Sequence, residues 1–140
     1  MSIKEIQEEI IDEFEMFDDW MQRYEYIIEN GKSLQLIDKS KKTEDNLIKG
    51  CQSKVWLNAD YKNDKIEFTA DSDAILTKGI IALLLRVYSN QSPKNILDSK
   101  LFFIDKIGLK DHLSPTRANG LVSMVKQLKL YALAFQTKNN

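Results

Sequence analysis

The spacing of apolar residues changes twice along the chain, and this limits the possible folds more than any other feature. From Ile3 to Ile28 the apolar residues recur at three- and four-residue steps: Ile3, Ile6, Ile10, Phe14 and Phe17, then Trp20, Tyr24, Ile27 and Ile28. Such stripes are the buried faces of two helices. From Val55 the step shortens to two. Val55, Leu57, Ala59 and Tyr61 alternate with Trp56, Asn58 and Asp60, and Ile66, Phe68 and Ala70 resume the pattern after Asn63-Asp64. Asn and Asp tolerate turn conformations, so this stretch predicts two antiparallel strands, each with one buried face. Leu47-Ile48 predicts a short third strand ahead of them. From Ile75 the helical period returns in Ile75, Leu76, Ile80, Ile81, Leu83, Leu84, Leu85 and Val87. That segment is apolar nearly all round and predicts the central buried helix. Helices, a sheet and more helices make an α+β domain: a small three-stranded antiparallel sheet packed against several helices on one face.

Local signals place the boundaries. Asn30-Gly31 reads as a helix end or an interruption of the helix, because Gly takes the left-handed C-cap conformation cheaply. Ser72-Asp73 reads as the N-cap of the central helix, because a short side-chain oxygen accepts an orphan amide hydrogen bond. Ser92-Pro93 and Ser114-Pro115 each read as an N-cap followed by Pro in the first turn. The first opens a short helix ending near Asp98. Gly108 closes another short segment around Phe102 to Ile107. The second opens a long C-terminal helix with Leu121, Met124, Val125, Leu128, Tyr131 and Phe135 on one stripe. Thr137 to Asn140 read as a frayed end.

A length of 140 residues suits one domain, 1–140, with one core. Lys+Arg 20 against Asp+Glu 21 leaves a net charge of -1, with no global field to draw in nucleic acid or an anionic membrane. Lys39, Lys41 and Lys42 read as a solvated loop. The longest apolar run, Ile80 to Leu85, is far too short to cross a bilayer. Met1-Ser2-Ile3-Lys4-Glu5 lacks the basic-then-apolar pattern of a signal peptide. A cytoplasmic protein, monomeric by default, is the expectation.

The chain has 1 cysteine and 1 histidine, Cys51 and His112. An internal disulfide is therefore impossible, and a protein zinc or cluster site lacks its usual ligands. The five glycines are scattered, with no phosphate-binding loop among them. His112, just before a helix start, reads as a surface or capping residue. Nothing surrounds Cys51 that resembles a nucleophile elbow. Glu8-Glu9 and Asp18-Asp19 fall on the solvated side of their helical stripe.

Two readings of Cys51 compete. A solitary cysteine commonly fills core space as a small hydrophobe. The neighbours Lys49, Gly50, Gln52 and Ser53 argue instead for a polar turn that presents a thiol to another molecule. Arg117 is also unusual, because a cation in the first turn of a helix opposes the helix dipole. It reads either as a surface residue paired with Asp111 or another carboxylate, or as a cation kept for a partner or a thiolate. Asp71 and Asp73 carry a similar choice between capping and contact with a partner.

Three blocks in order, Gly50-Cys51-Gln52-Ser53 with Val55-Trp56, Asp71-Ser72-Asp73-Ala74 with Lys78-Gly79, and Leu113-Ser114-Pro115-Thr116-Arg117-Ala118-Asn119-Gly120-Leu121, resemble the SufE family. Its members are sulfur-acceptor partners of cysteine desulfurases in iron–sulfur cluster assembly. The resemblance implies that Cys51 takes sulfur from the desulfurase persulfide, stimulates that enzyme and passes sulfur to a scaffold complex. It also implies that pyridoxal phosphate sits on the partner, and that this chain needs no cofactor or metal of its own. The fold it implies is shared with the U-type iron–sulfur scaffolds, whose several cysteine ligands are missing here. Gly50, Gln52, Ser53, Asp71, Asp73, Arg117 and Asn119 are then expected to line or flank the thiol loop. A persulfide is easily oxidised or reduced, so Cys51 is expected to be partly sheltered at rest, with Val55 and Ile48 as its apolar neighbours. The alternatives are a desulfurase-binding activator that uses no thiol chemistry, an acceptor for another sulfur-transfer pathway, and a cluster scaffold.

Overall fold

The computed structural model describes residues 1–138. The chain opens with two helices, α1 (Ile3–Glu15) and α2 (Trp20–Gly31). Ser2 accepts a hydrogen bond from the Glu5 amide while the Glu5 carboxylate accepts one from the Ser2 amide, so two orphan donors at the start of α1 are satisfied. Asp19 caps α2 by accepting from the Gln22 amide. Two 3₁₀ turns, Lys39–Lys41 and Glu44–Asn46, lead to the strands β1 (Val55–Lys62) and β2 (Lys65–Ser72). The remainder is helical: α3 (Ile75–Tyr88), α4 (Pro93–Asp98), α5 (Phe103–Lys106) and α6 (Pro115–Lys138), with a 3₁₀ turn at Lys110–His112. Asn139 and Asn140, part of the expected frayed end, lie outside the described residues. Thr137 and Lys138 are still helical.

β1 and β2 pair antiparallel without a bulge, from Val55 opposite Ser72 to Lys62 opposite Lys65. Asn63 and Asp64 both take positive φ, 52° and 65°, the backbone of a two-residue hairpin turn matched to strand twist. Among the described residues the sheet has two strands, not the three expected. Leu47-Ile48 reaches β1 only as a single bridge, Leu47 to Trp56, with the Ile48 amide donating to the Val55 carbonyl at 2.8 Å. The reason is local. A 3₁₀ turn ends at Asn46 and Gly50 turns away with φ +91°, which leaves two residues to pair and no room to extend the ladder.

The far side of β2 is closed without another strand. The Ile66 amide donates to the Gln91 carbonyl, the Phe68 amide to the Ser89 hydroxyl and the Ala70 amide to the Gln35 carbonyl. The exposed backbone row that would invite edge pairing is thereby satisfied.

The inner face of the sheet (Val55, Leu57, Ile66, Phe68, Ala70) meets α3, whose residues Ile80 to Leu85 are all buried. The first residue of that helix, Ile75, departs from the apolar pattern and is exposed. α6 completes the core with Leu121, Met124, Leu128 and Ala132. Tyr131 of α6 packs edge-on against Phe68, and Phe135 lies over Tyr61.

Three boundary expectations hold and two change. Ser92 and Ser114 cap their helices ahead of Pro93 and Pro115, and Gly108 takes φ +73° after the α5 segment. The N-cap of α3, however, is Ala74, with no side-chain cap, because β2 extends through Ser72 and the Asp73 carboxylate is engaged elsewhere. Gly31 does not end α2 in a left-handed conformation either. Lys32 is the C-cap in a right-handed one, and Gly31 is buried where α2 crosses α3. A Cβ on Gly79 would stand 2.1 Å from the Ile27 carbonyl oxygen, and one on Gly31 would stand 3.1 Å from the Gly79 amide nitrogen. The two glycines let the helix backbones touch.

Candidate functional site

Cys51 lies on a short loop, residues 49–53, strung between two fixed points. Before it, the Ile48 amide is bonded to Val55. After it, the Lys54 amide donates to the Asp73 carboxylate at 3.0 Å, and the Asp73 amide donates back to the Lys54 carbonyl at 3.2 Å. Gly50 makes the bend possible. Its φ of +91° suits glycine, and a Cβ there would stand 2.5 Å from the Ser123 hydroxyl oxygen on α6. Between the fixed points the loop is held by one weak bond, from the Cys51 thiol to the Gly120 carbonyl at 3.6 Å. Among the described residues, no other hydrogen bond or ion pair involves residues 49–53.

The thiol points into a narrow cleft between α3 and the start of α6. Gln52 and Ser53 line it from the loop, Thr77 and Ile80 from α3, and Thr116, Arg117, Gly120 and Met124 from α6. Its free volume is about 20 Å³. Cys51 is half-buried, so the structure answers the choice between core filler and open turn with something intermediate. Burial pushes the thiol pKa up, because the thiolate loses solvation there. Burial thus disfavours the thiolate, the nucleophilic form, at rest. The apolar atoms facing it belong to Ile80 and Met124. Ile48 and Val55, the expected neighbours, are buried in the core and do not line the cleft.

The expected site residues fall into three groups. Gln52, Ser53 and Arg117 do surround the thiol. Arg117 is exposed, and among the described residues neither Asp111 nor another carboxylate pairs with it. Gly50 and Asp73 shape and anchor the loop without lining the cleft. Asp71 and Asn119 are not brought into it. Asn119 is exposed on α6. Asp71 binds Lys42 at 3.0 Å and Lys78 at 3.4 Å, and accepts a hydrogen bond from the Ser72 amide. Partial burial raises its pKa, but the two ammonium groups and the amide together outweigh that and hold it below the usual carboxylate range. Lys42 also sits 4.4 Å from the centre of the Trp56 ring, so it is fixed on the sheet and not simply solvated.

Thr77, Ile80, Thr116, Gly120 and Met124 also line the cleft, and the sequence does not mark them as site residues: Ile80 and Met124 read as core, and Thr116 and Gly120 lie within the third family block. The signal was present in part: Thr116, Gly120 and Met124 are four residues apart and share one helix face. Which helix faces the cysteine is a tertiary fact. His112 lies away from the cleft lining, stacked on Trp20 at 3.7 Å with Nδ1 3.1 Å from the Gly108 carbonyl. Among the described residues, no group of three or more His, Cys, Asp or Glu is placed to hold a metal ion.

These features define a class: an α+β domain with a single thiol, tethered loosely and tucked against its own last helix. The chain belongs to the SufE family, whose profile, an Fe-S metabolism associated domain, matches residues 8–132. An uncharacterized SufE-like protein of Rhizobium etli is 42% identical over 127 residues, covering 87% of this chain and 86% of that protein. A SufE-like protein of Synechocystis is 35% identical, covering 91% and 80%. SufE-like protein 1, chloroplastic/mitochondrial, of Arabidopsis thaliana is 36% identical over 94% of this chain, which spans 36% of that longer protein. The solution structure of a hypothetical protein from Thermus thermophilus has the same fold, with a TM-score of 0.78, 19% identity, and coverage of 94% and 96%. Family membership gives the chain a role in iron–sulfur metabolism. Among the described residues, no helix is long and apolar enough to cross a membrane.

Proposed function

We propose that residues 1–140 form one sulfur-acceptor domain, which takes persulfide sulfur from a cysteine desulfurase onto Cys51 and passes it on for cluster assembly. The observation that carries this reading is a lone thiol on a loop fixed at both ends and held between them by one weak bond, in a chain of the SufE family. In the reaction, the Cys51 thiol gives up its proton and its sulfur attacks the outer sulfur of the donor persulfide. A Cys51–sulfur bond forms, the donor's sulfur–sulfur bond breaks, and the donor sulfur leaves as a thiolate. No external oxidant or reductant is consumed. Pyridoxal phosphate belongs to the desulfurase. The chain works as a monomer, in a reducing compartment such as the cytoplasm.

Burial makes the resting thiol a poor nucleophile, so docking has to draw the loop outwards. Releasing a half-buried cysteine and a weak S–H bond costs on the order of 1–2 kcal/mol. An open population of roughly 3–15 per cent at rest is then available for the desulfurase to capture. Arg117, exposed and without a carboxylate partner among the described residues, supplies positive charge where the thiolate forms.

Intact mass after mixing with a desulfurase and free cysteine tests the reading. The wild-type chain is expected to gain one sulfur atom, removable by reductant, and Cys51→Ser none. If Cys51→Ser stimulates the desulfurase as well as wild type does, the chain is a docking activator and the acceptor reading fails.

A further inference from the structure

One edge of the sheet is closed by the chain itself and the other is not. In an antiparallel ladder, residues directly opposite one another send their amides and carbonyls the same way, either towards the paired strand or away from it. Ile66, Phe68 and Ala70 of β2 point away, since their amides reach Gln91, Ser89 and Gln35. Tyr61, Ala59 and Leu57 stand opposite them, so their backbone groups point outwards on the β1 side. The chain closes that edge only at its start, where Leu47 bridges to Trp56 and Ile48 bonds to Val55. Beyond the bridge, among the described residues, no hydrogen bond reaches the amide or carbonyl of Ala59 or Tyr61. Both residues keep contact with solvent, and neither a proline nor a bulge blocks the edge. α6 runs alongside it, from Ser123 beside Gly50 to Phe135 over Tyr61. Between α6 and the bridging segment lies a groove of about 430 Å³, with Leu47, Ile48 and Leu130 in its walls and with Lys49 and Lys126 set against one carboxylate, Asp45. Among the described residues neither lysine is ion-paired, and α6 contains no acidic residue.

We propose that the open edge of β1, residues 58–62, is a docking site for an extended segment of a partner protein, which pairs antiparallel with β1 as a third strand and places an acidic residue in the groove by Lys49 and Lys126. The backbone supplies the affinity: the amides and carbonyls of Ala59 and Tyr61 meet the complementary groups of the incoming strand. Leu47-Ile48 sets the direction, because it already runs antiparallel to β1 and stops only where the turns on either side divert the chain. A strand entering in that direction passes Lys62 first and ends beside Asn58, next to Leu47 and the groove. Its C-terminal end therefore meets the two lysines, and the charge that suits them is negative. On the inner side of the sheet it faces α6, where Leu130 is 47% exposed, so every second residue of the segment is apolar. A second copy of this chain fits poorly. The two-fold pairing that uses the free groups of Ala59 and Tyr61 sets Asp60 opposite Asp60, and like charges opposed across strands are destabilising. Lys49 is two residues from Cys51, so a segment seated here brings its protein beside the thiol loop. The site goes beyond the acceptor reading and does not depend on it.

The test uses the full chain and a synthetic peptide as probe: alternating Val and Thr over six residues, then two Glu, with a fluorophore at the N-terminus. Anisotropy measures its affinity, and amide hydrogen exchange followed by NMR locates it. Wild type is expected to bind, with exchange at Ala59 and Tyr61 slowed about fivefold or more at saturation. Ala59→Pro removes an outward amide that the β1–β2 ladder does not use, and should weaken binding about tenfold. Lys126→Glu should also weaken it about tenfold, and so should replacing the two Glu of the peptide by Lys. Methylating the peptide nitrogens that face β1 probes the same contact without altering the protein, and should abolish binding even if Ala59→Pro fails to fold. Equal binding of the methylated and unmethylated peptides, or no binding of either up to about 1 mM, overturns the proposal. Unchanged exchange at Ala59 and Tyr61 overturns it as well, and equal affinity for the Glu-ended and Lys-ended peptides overturns the acidic partner. If the chain sediments as a dimer that Ala59→Pro dissociates, a second copy occupies the edge and the partner segment is ruled out. Sulfur loading of Cys51 is scored separately by mass, so the acceptor reading stands or fails on its own.

Discussion

The side chain that best separates local sequence logic from tertiary outcome is Asp73. Its position before a helix suggests an N-cap. In the structure its carboxylate crosses to the Lys54 amide, at 3.0 Å, and its own amide returns a bond to Lys54. It therefore holds the exit of the thiol loop. Removing the carboxylate leaves the loop exit held by the backbone bond from the Asp73 amide to the Lys54 carbonyl alone. Losing one such bond costs the closed state about 1 kcal/mol, or roughly a fivefold rise in the open population. Asp73→Ala is accordingly expected to speed alkylation of resting Cys51 about fivefold by iodoacetamide, with a similarly small loss in unfolding free energy. An unchanged alkylation rate would show that the loop does not pivot on this anchor. Cys51 and Arg117 stand out in the sequence because a neighbouring glycine and a first-turn cation set them apart, whereas Gln52 and Ser53 enter the site through the family resemblance. Thr77 does neither, because a threonine inside an apolar helix gains meaning only from what the helix faces.

Among the elements, the crossing of α2 and α3 fixes the framework against which the cleft is built. In sequence, Asn30-Gly31 suggests a helix end or an interruption, since glycine takes the left-handed conformation cheaply. What the fold uses is the missing side chain of Gly31, opposite the missing side chain of Gly79. A methyl group on Gly79 would meet the Ile27 carbonyl oxygen at 2.1 Å, and backbone cannot rotate aside as a side chain can. Gly79→Ala is expected to cost about 3 kcal/mol, the upper end for overpacking, despite the gain in helix propensity. Gly120→Ala offers a contrast within the same experiment. Its new methyl would make an ordinary contact with Cys51 Sγ at 3.6 Å, so the variant should be as stable as wild type or up to about 1 kcal/mol more so. Urea unfolding followed by circular dichroism measures both, and equal midpoints for the two variants would refute the close-packed crossing. The missing third strand has the same lesson. The apolar pair Leu47-Ile48 was visible, but the turns that confine it to one bridge depend on backbone conformation at Gly50.

For the whole molecule, the order of elements and the central place of α3 followed from the two changes of hydrophobic period, because burial imposes that periodicity directly. The charged groups that bind distant parts of the chain were hidden, since pairing across 73 positions leaves no local trace. Arg86 of α3 donates to both Glu13 carboxylate oxygens, at 2.8 and 2.7 Å, and also reaches Glu9 on α1 and Asn30 on α2. The Tyr26 hydroxyl donates to Glu13 as well. The Arg86 hydrogen bonds hold the Glu13 pKa below its ordinary value, against an opposing effect of partial burial. Asp71 on the sheet is lowered too. Because the folded pKa lies below the unfolded one for both groups, the unfolded chain takes up protons first as pH falls. Their contribution is complete above the ordinary carboxylate pKa, about 4, and disappears as pH drops through the folded values. The urea midpoint is therefore expected to change little between about pH 7 and pH 5 and to fall below about pH 4. Arg86→Met tests how much of that fall belongs to the three-helix clamp. With Glu13 left unpaired, the variant should be about 2 kcal/mol less stable near neutrality, less than a fully buried pair because both side chains keep some contact with water. As Glu13 then titrates nearer its ordinary pKa, the gap to wild type should narrow in acid. Two curves that stay parallel from neutral to acid pH would mean that the clamp does not lower the Glu13 pKa, and that acid sensitivity arises at Asp71 and the other carboxylates.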